Sequence, residues 1–77
     1  MSHKANLAAF LAERNKAFET DDLEWARRNL PFKPSSPIVV EIAFHKARAT
    51  CTAVSSTKRQ ESVNWLVSRG YSPEINL

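Results

Sequence analysis

The stretch PIVVEIAFHKARATCTAV, residues 37–54, decides the fold, because its β-branched start suits a strand while its overall pattern is helical. A strand at residues 38–42 is one alternative, since Ile and Val are enriched in strands. A helix is favoured because apolar residues recur every three or four positions: Val40, Ala43, Phe44, Ala47, Cys51 and Val54. We therefore predict a helix from residue 37 to about residue 53, with Ser36 as N-cap and Pro37 in its first turn.

Two further stripes lie on the other sides of this predicted helix. One is polar, and we expect it to be solvated, with local ion pairs: Glu41, His45, Arg48 and Thr52. The other is apolar: Ile38, Ile42, Ala49 and Ala53. A helix that is apolar on two sides is usually central, with neighbours packed on both. Alternatively the second strip is a homodimer seam or a partner surface, which makes Ile38, Ile42 and Ala49 candidate partner-binding residues.

Three more helices are predicted on either side of this stretch. Residues 3–18 carry one apolar face at helical spacing. Residues 22–30 follow a capping-box-like Asp21, and the acidic start and basic end of that helix suit the helix macrodipole. Residues 57–69 follow Ser55 or Ser56 as N-cap and end before Gly70, which suits a left-handed residue just past a helix.

The expected fold is all-α, with the second and third helices separated by a proline-rich connection. The residue before a proline avoids the α region, so Pro31 ends the second helix. The Pro/Ser-rich residues 31–37 then read as a stiff connection. We predict a small compact bundle of two helical hairpins joined by this connection. It forms a single domain over residues 1–77, with a loosely held tail from about residue 72.

The composition excludes several classes of protein. The 77 residues contain one glycine, whereas a small all-β domain needs several for its tight turns. The single Cys51 excludes an intramolecular disulfide and a zinc site of several cysteines. A chain this short leaves no room beside its core for a cavity of several hundred cubic ångströms. We therefore expect no enzyme, no metal, no cofactor and no small-molecule substrate.

The sequence also carries no signal for a membrane. No apolar run approaches the roughly 20 residues that span a bilayer. The first residues lack the long apolar core and cleavage site of a signal peptide. The simplest expectation is therefore a cytoplasmic protein without a membrane partner.

The predicted fourth helix has a basic and aromatic face beside its apolar one. The apolar face comprises Val63, Leu66 and Val67. The other face, with one flanking base, comprises Lys58, Arg59, Ser62, Trp65 and Arg69. In a nucleic-acid-binding module the basic side chains would contact phosphates, the serine would hydrogen-bond, and the tryptophan would stack on a base. Alternatively Trp65 packs on the first or second helix, with the stems of Lys58 and Arg69 lying over it.

TAVSS (residues 52–56) followed by ESVNWL (residues 61–66) resembles the turn and second helix of a helix-turn-helix DNA reader. In that motif a small–hydrophobic–serine turn precedes a valine and a Trp-Leu pair. Ala53 stands where the turn normally takes glycine, and the interval from Val54 to Val63 is about one helical turn too long. The resemblance covers this part of the chain alone and implies DNA binding through the fourth helix.

Two other groups of residues bear on function. Trp25 and Arg28 are candidate partner-binding residues, because exposed Trp and Arg are over-represented at binding hot spots. The alternative is that Trp25 packs under the connection. Cys51 and His45 lie six positions apart, so on a helix they point about 120° away from each other and form no catalytic pair. Cys51 is instead predicted to be a core residue.

The sequence favours a small non-enzymatic helical interaction module that binds a protein partner or self-associates. Accessory proteins of phages and other mobile elements are often of this kind. The alternative is a nucleic-acid-binding module that uses the fourth helix. The formal net charge of only +3, with bases spread along the chain, favours the first function.

Overall fold

Four α-helices form the regular structure of this protein, for which a computed structural model describes the backbone of residues 3–74 and the side chains of residues 6–74. The helices are α1 (His3–Thr20), α2 (Leu23–Asn29), α3 (Pro37–Ala49) and α4 (Ser56–Ser68). No strand occurs within the described residues, so the all-α fold is confirmed and a strand at residues 38–42 is excluded. The tail predicted from about residue 72 is described only as far as Glu74.

A left-handed turn joins α1 to α2. Asp21 has a φ of 57°, a conformation that Asp and Asn tolerate better than other non-glycine residues. The Asp22 N–H donates to the carbonyl oxygen of Ala17 at 2.9 Å, which closes the end of α1 in a Schellman-type bond. The Asp22 side chain then accepts from the Trp25 N–H at 3.0 Å. The N-cap of α2 is therefore Asp22 rather than Asp21, whose carboxylate is free to bind elsewhere.

The start of α3 matches the sequence prediction, but its end does not. Pro37 begins the helix after Ser36, although the Ser36 side chain makes no capping hydrogen bond. The helix ends at Ala49, about one turn before the predicted residue 53. The Cys51 N–H donates to the Arg48 carbonyl oxygen and the Val54 N–H to that of Cys51, each at 3.2 Å. These bonds form a non-helical turn that leads back towards α4.

The caps of α4 agree with the prediction. The Ser55 hydroxyl accepts from the Lys58 N–H at 3.4 Å. At the other end Gly70 has a φ of 79°. The Tyr71 N–H donates to the Leu66 carbonyl oxygen at 2.9 Å, and the Gly70 N–H donates to that of Val67 at 3.1 Å. These two bonds define a Schellman motif, which needs a residue that tolerates positive φ at this position.

The core lies where α3 meets the other helices. Phe18 of α1 meets Phe44 of α3 edge-on, with ring centroids 5.4 Å apart. The buried cluster around them is completed by residues of α2, α3 and the turn before α4: Ala26, Val40 and Val54. Helix α3 packs on both α2 and α4, and α1 packs on α2. The central place of α3 agrees with its two apolar sides.

Substitutions at Leu66 and Val67 test this arrangement, because the two residues are neighbours on α4 but one is buried and the other is exposed. Leu66 is fully buried, whereas Val67 is 58% exposed, although the sequence places both on one face. We expect Leu66→Ala to lower the free energy of unfolding by about 2–5 kcal/mol. Val67→Ala should change it by less than about 0.5 kcal/mol. Urea unfolding followed by circular dichroism measures both, and equal losses would contradict the placement of α4.

Candidate functional site

The face of α4 that the sequence assigns to nucleic acid lies against a buried polar network on α3. Three polar side chains form the interior of this network: His45, Arg48 and Ser62, which are 8%, 2% and 0% exposed. The prediction that His45 and Arg48 belong to a solvated stripe is therefore wrong. Helix α4 packs over them and supplies partners for their polar atoms.

Arg48 connects four parts of the chain through its guanidinium. Its Nε donates to the Ser62 Oγ at 2.6 Å. Its Nη1 donates to the carbonyl oxygen of Phe18 at 3.0 Å and also to the carboxylate of Asp21. The guanidinium carbon lies 5.0 Å from the centroid of the Phe44 ring. A buried charge is tolerated when its donors are satisfied in this way.

Ser62 and His45 form the second layer of the network. The Ser62 Oγ lies 2.8 Å from the His45 Nδ1. A guanidinium can only donate, so the serine accepts from Arg48, and donating its own proton to Nδ1 satisfies the imidazole as well. Burial, and next the charge of Arg48, lower the pKa of His45 to about 4. The serine has no exposed surface, so this pair offers no accessible nucleophile.

Trp65 is held in a stack of side chains. Its ring lies 4.3 Å from that of His45 and 6.3 Å from that of Tyr71, with small interplanar angles. The Arg69 guanidinium lies 4.3 Å from its centroid. Trp65 therefore packs on the third helix and on the chain after α4, not on the first or second helix. Arg69 covers it as the sequence suggested, but Lys58 points elsewhere.

Lys58 lies between two carboxylates. Its Nζ is 3.0 Å from the Asp21 Oδ2 and 3.3 Å from the Glu61 Oε2. Hydrogen bonds to Asp21 and then Glu61 raise the pKa of Lys58. Desolvation pushes the pKa of Asp21 upward, but hydrogen bonds from Lys58 and Arg48 outweigh it and hold that pKa below its usual value. The Arg59 Nε donates to the carbonyl oxygen of Val54 at 3.2 Å.

The second apolar strip of α3 shares a helix face with His45. Because His45 contacts Ser62 and Trp65, this face is directed towards α4. Ile42 and Ala49 are half-buried, and Ile38 at the start of the helix is 40% exposed. Helix α4 thus covers this side of α3 around His45, while Ile38 at the start of the strip remains exposed.

The other two candidate partner-binding residues lie in different surroundings. Trp25 is half-buried against the core, with its ring 5.4 Å from that of Phe10 on α1. Its aromatic partner therefore lies on α1. Arg28 is exposed, 4.0 Å from the Glu24 carboxylate, and lines a groove that Trp25 does not line. The structure therefore does not bring Trp25 and Arg28 into one site.

That groove runs between α2, the connection 31–37 and the start of α3, and has a volume of about 840 Å³. Its apolar lining comprises Leu23, Leu30, Phe32, Pro34, Pro37 and Val40. Its charged residues are Glu24, Arg27, Arg28, Lys33 and Glu41. The space lies open between surface elements and is not a cavity beside the core, which is the kind of space that the chain length was expected to exclude.

Only Arg28 of this groove was a sequence-predicted site residue. The sequence signal that could have indicated the groove was Phe32. It is a large apolar residue between two prolines, in a segment where no helix directs its side chain towards the core. It is 50% exposed. The pattern of apolar residues along the helices gives no information on such a residue, so sequence reasoning missed it.

Comparison with protein families, curated proteins and solved structures gives no match to this chain. Within residues 3–74, none of the four helices combines the length and apolar character needed to cross a bilayer. Among the side chains of residues 6–74, no group of three or more His, Cys, Asp or Glu residues could hold a metal ion.

Asp21 and Asp22 provide a matched test of the buried network. Asp21→Asn keeps a residue that tolerates positive φ but removes the charge facing Arg48 and Lys58. We expect it to lower the free energy of unfolding by about 1–2 kcal/mol, less than for a fully buried pair because Asp21 is half-exposed. Asp22→Asn makes the same charge change and keeps a good N-cap, so its cost should stay below about 0.5 kcal/mol. Thermal unfolding measures the loss of stability in both variants. Equal losses would contradict a stabilising role for the Asp21 carboxylate in the network.

His45 makes stability depend on pH. Because its pKa is about 4 in the folded protein and 6.5 ordinarily, the unfolded chain takes up the proton first as pH falls. The free energy of unfolding should therefore fall by roughly 2–3 kcal/mol between pH 7 and pH 4, since each unit of pKa shift corresponds to about 1.4 kcal/mol. The loss above pH 5 can be assigned to His45, because the pKa of Asp21 is lowered and its carboxylate affects stability only at lower pH. Urea unfolding at several pH values should show a flatter profile for His45→Gln, and an NMR titration midpoint of His45 near 6.5 would contradict its burial.

Proposed function

We propose that this protein is a non-enzymatic interaction module that binds a segment of a partner protein in the groove between α2, the connection 31–37 and α3. The observation that carries this proposal is the groove itself, with its volume of about 840 Å³ and apolar lining. Pockets that bind small ligands typically have volumes of about 300–1,000 Å³ and a mainly apolar lining. Grooves that bind peptide segments likewise use apolar pockets to hold the side chains of the segment. The charged residues around the apolar lining suit a surface that is repeatedly covered and uncovered.

Phe32 is the principal anchor that the groove offers. It is 50% exposed in the free protein, where half of a large apolar side chain remains in water. Covering apolar surface contributes roughly 25 cal/mol for each square ångström removed from water. Leu30 and Pro34 lie close to it in the chain and line the same groove, so a partner side chain seated there would contact several apolar groups at once.

The alternative function, nucleic-acid binding through α4, has weaker support. The ammonium of Lys58 is paired with two carboxylates, which would also repel a phosphate. Arg69 and Tyr71 stack on Trp65 with His45, which leaves less of its ring for a base. Ser62 presents no surface to a ligand. Binding at this face would require several intramolecular contacts to break first.

Two equally exposed residues allow the proposed function to be tested. Short random peptides displayed on phage are selected on the folded wild-type chain, and the enriched peptides are measured against Phe32→Ser and Leu7→Ser. Phe32 and Leu7 are each 50% exposed, but only Phe32 lines the groove. We expect Phe32→Ser to weaken binding about tenfold or more, as for a hot-spot residue, and Leu7→Ser to leave it unchanged. Failure to enrich any peptide that depends on Phe32 would overturn the proposal.

A further inference from the structure

We infer that the segment bound in this groove is an extended, acidic stretch of a different protein. This inference rests on the proposed function and assigns a partner class to the same groove. Two independent features support it: the distribution of charge around the groove, and the unpaired backbone of the connection. A third feature, the content of free acidic residues in the chain's own non-helical segments, favours a different protein over a second copy as the occupant of the groove.

The charge around the groove is predominantly positive along α2 and the connection. Arg27 and Arg28 share one carboxylate, since the Arg27 Nε and the Arg28 Nη1 lie 3.1 Å and 4.0 Å from the Glu24 Oε1. Lys33 forms no ion pair with any other described residue. Glu41 is the acidic residue on the α3 side. A partner carboxylate can therefore approach Arg28 and Lys33 without displacing a close ion pair.

The connection also presents free backbone donors beside the groove. Within the described part of the chain, the N–H groups of Phe32, Lys33 and Ser35 have no hydrogen-bond acceptor, and all three residues are exposed. An extended peptide lying along this segment has free carbonyl groups that can accept from them, as when a strand is added to an exposed edge. A helical partner satisfies its own backbone and leaves these donors to water. The free donors thus favour an extended occupant.

A second copy of this chain is a poorer occupant than another protein. Among residues 3–74, the acids of the α1–α2 turn are occupied, because Asp21 pairs with Arg48 and Lys58 and Asp22 caps α2. The turn before α4, residues 50–55, contains no acidic residue, and the described part of the chain after α4 contains only Glu74. The described residues therefore offer no extended segment with several free carboxylates.

Lys33 and Lys46 provide a matched pair for the test. The probes are the individual peptides from the selection above whose binding requires Phe32. Lys33→Glu and Lys46→Glu change the net charge equally, but Lys46 does not line the groove. We expect these peptides to be acidic, and their affinity to fall about tenfold or more with Lys33→Glu and to change little with Lys46→Glu. Amide hydrogen exchange of Phe32, Lys33 and Ser35 should slow on binding.

Each part of the inference can fail separately from the proposed function. Peptides that need Phe32 for binding but are neutral or basic would contradict the inference that the bound segment is acidic. Peptides that bind as helices, without slowing exchange in the connection, would overturn the extended conformation. In both cases binding in the groove would stand. A dimer in analytical ultracentrifugation that Phe32→Ser abolishes and Leu7→Ser preserves would identify a second copy as the occupant and overturn the different protein.

Discussion

The buried guanidinium of Arg48 determines how the parts of this small protein fit together. Placing a charge in a protein interior is unfavourable unless its donors are satisfied. The partners of Arg48 come from three other places: the end of α1 at Phe18, the following turn at Asp21, and Ser62 on α4. These elements can therefore pack on α3 in few other ways. An apolar side chain at position 48 could stabilise the core as well, but it would not impose the same register.

This requirement explains several local features that are otherwise unrelated. Asp21 adopts a left-handed conformation, and its carboxylate reaches both Arg48 and Lys58. Ser62 is a serine because an acceptor is needed opposite Arg48, and its remaining proton suits the neutral ring of His45. Trp65 then covers that ring. Of the side chains that resemble a nucleic-acid surface in the sequence, Ser62 lies inside the network, and Lys58, Trp65 and Arg69 form its outer layer.

The helices were predictable because their signals are local, whereas the network and the groove depend on distant residues. Caps such as Ser55 and Gly70 act within a few positions, so the sequence identifies them correctly. The end of α3 was misplaced because Cys51 and Val54 still pack on the core after the helix has ended. Asp21 and Arg48 are separated by 27 positions, and no periodic pattern relates them. The groove likewise combines α2, the connection and α3, and its walls become neighbours only after folding.

The two sides of α3 differ in how completely polar groups are hydrogen-bonded and apolar groups are buried. Towards α4, no buried polar side-chain atom among the described residues lacks a hydrogen-bond partner. Towards the connection, Phe32 stays half in water, and the N–H groups of Phe32, Lys33 and Ser35 have no acceptor among the described residues. A chain of 77 residues buries only about 60–65% of the surface exposed on unfolding, so some apolar surface must remain. What size alone does not explain is that apolar lining, cationic side chains and free donors coincide in one groove. This coincidence is the basis for proposing that the groove is a binding surface.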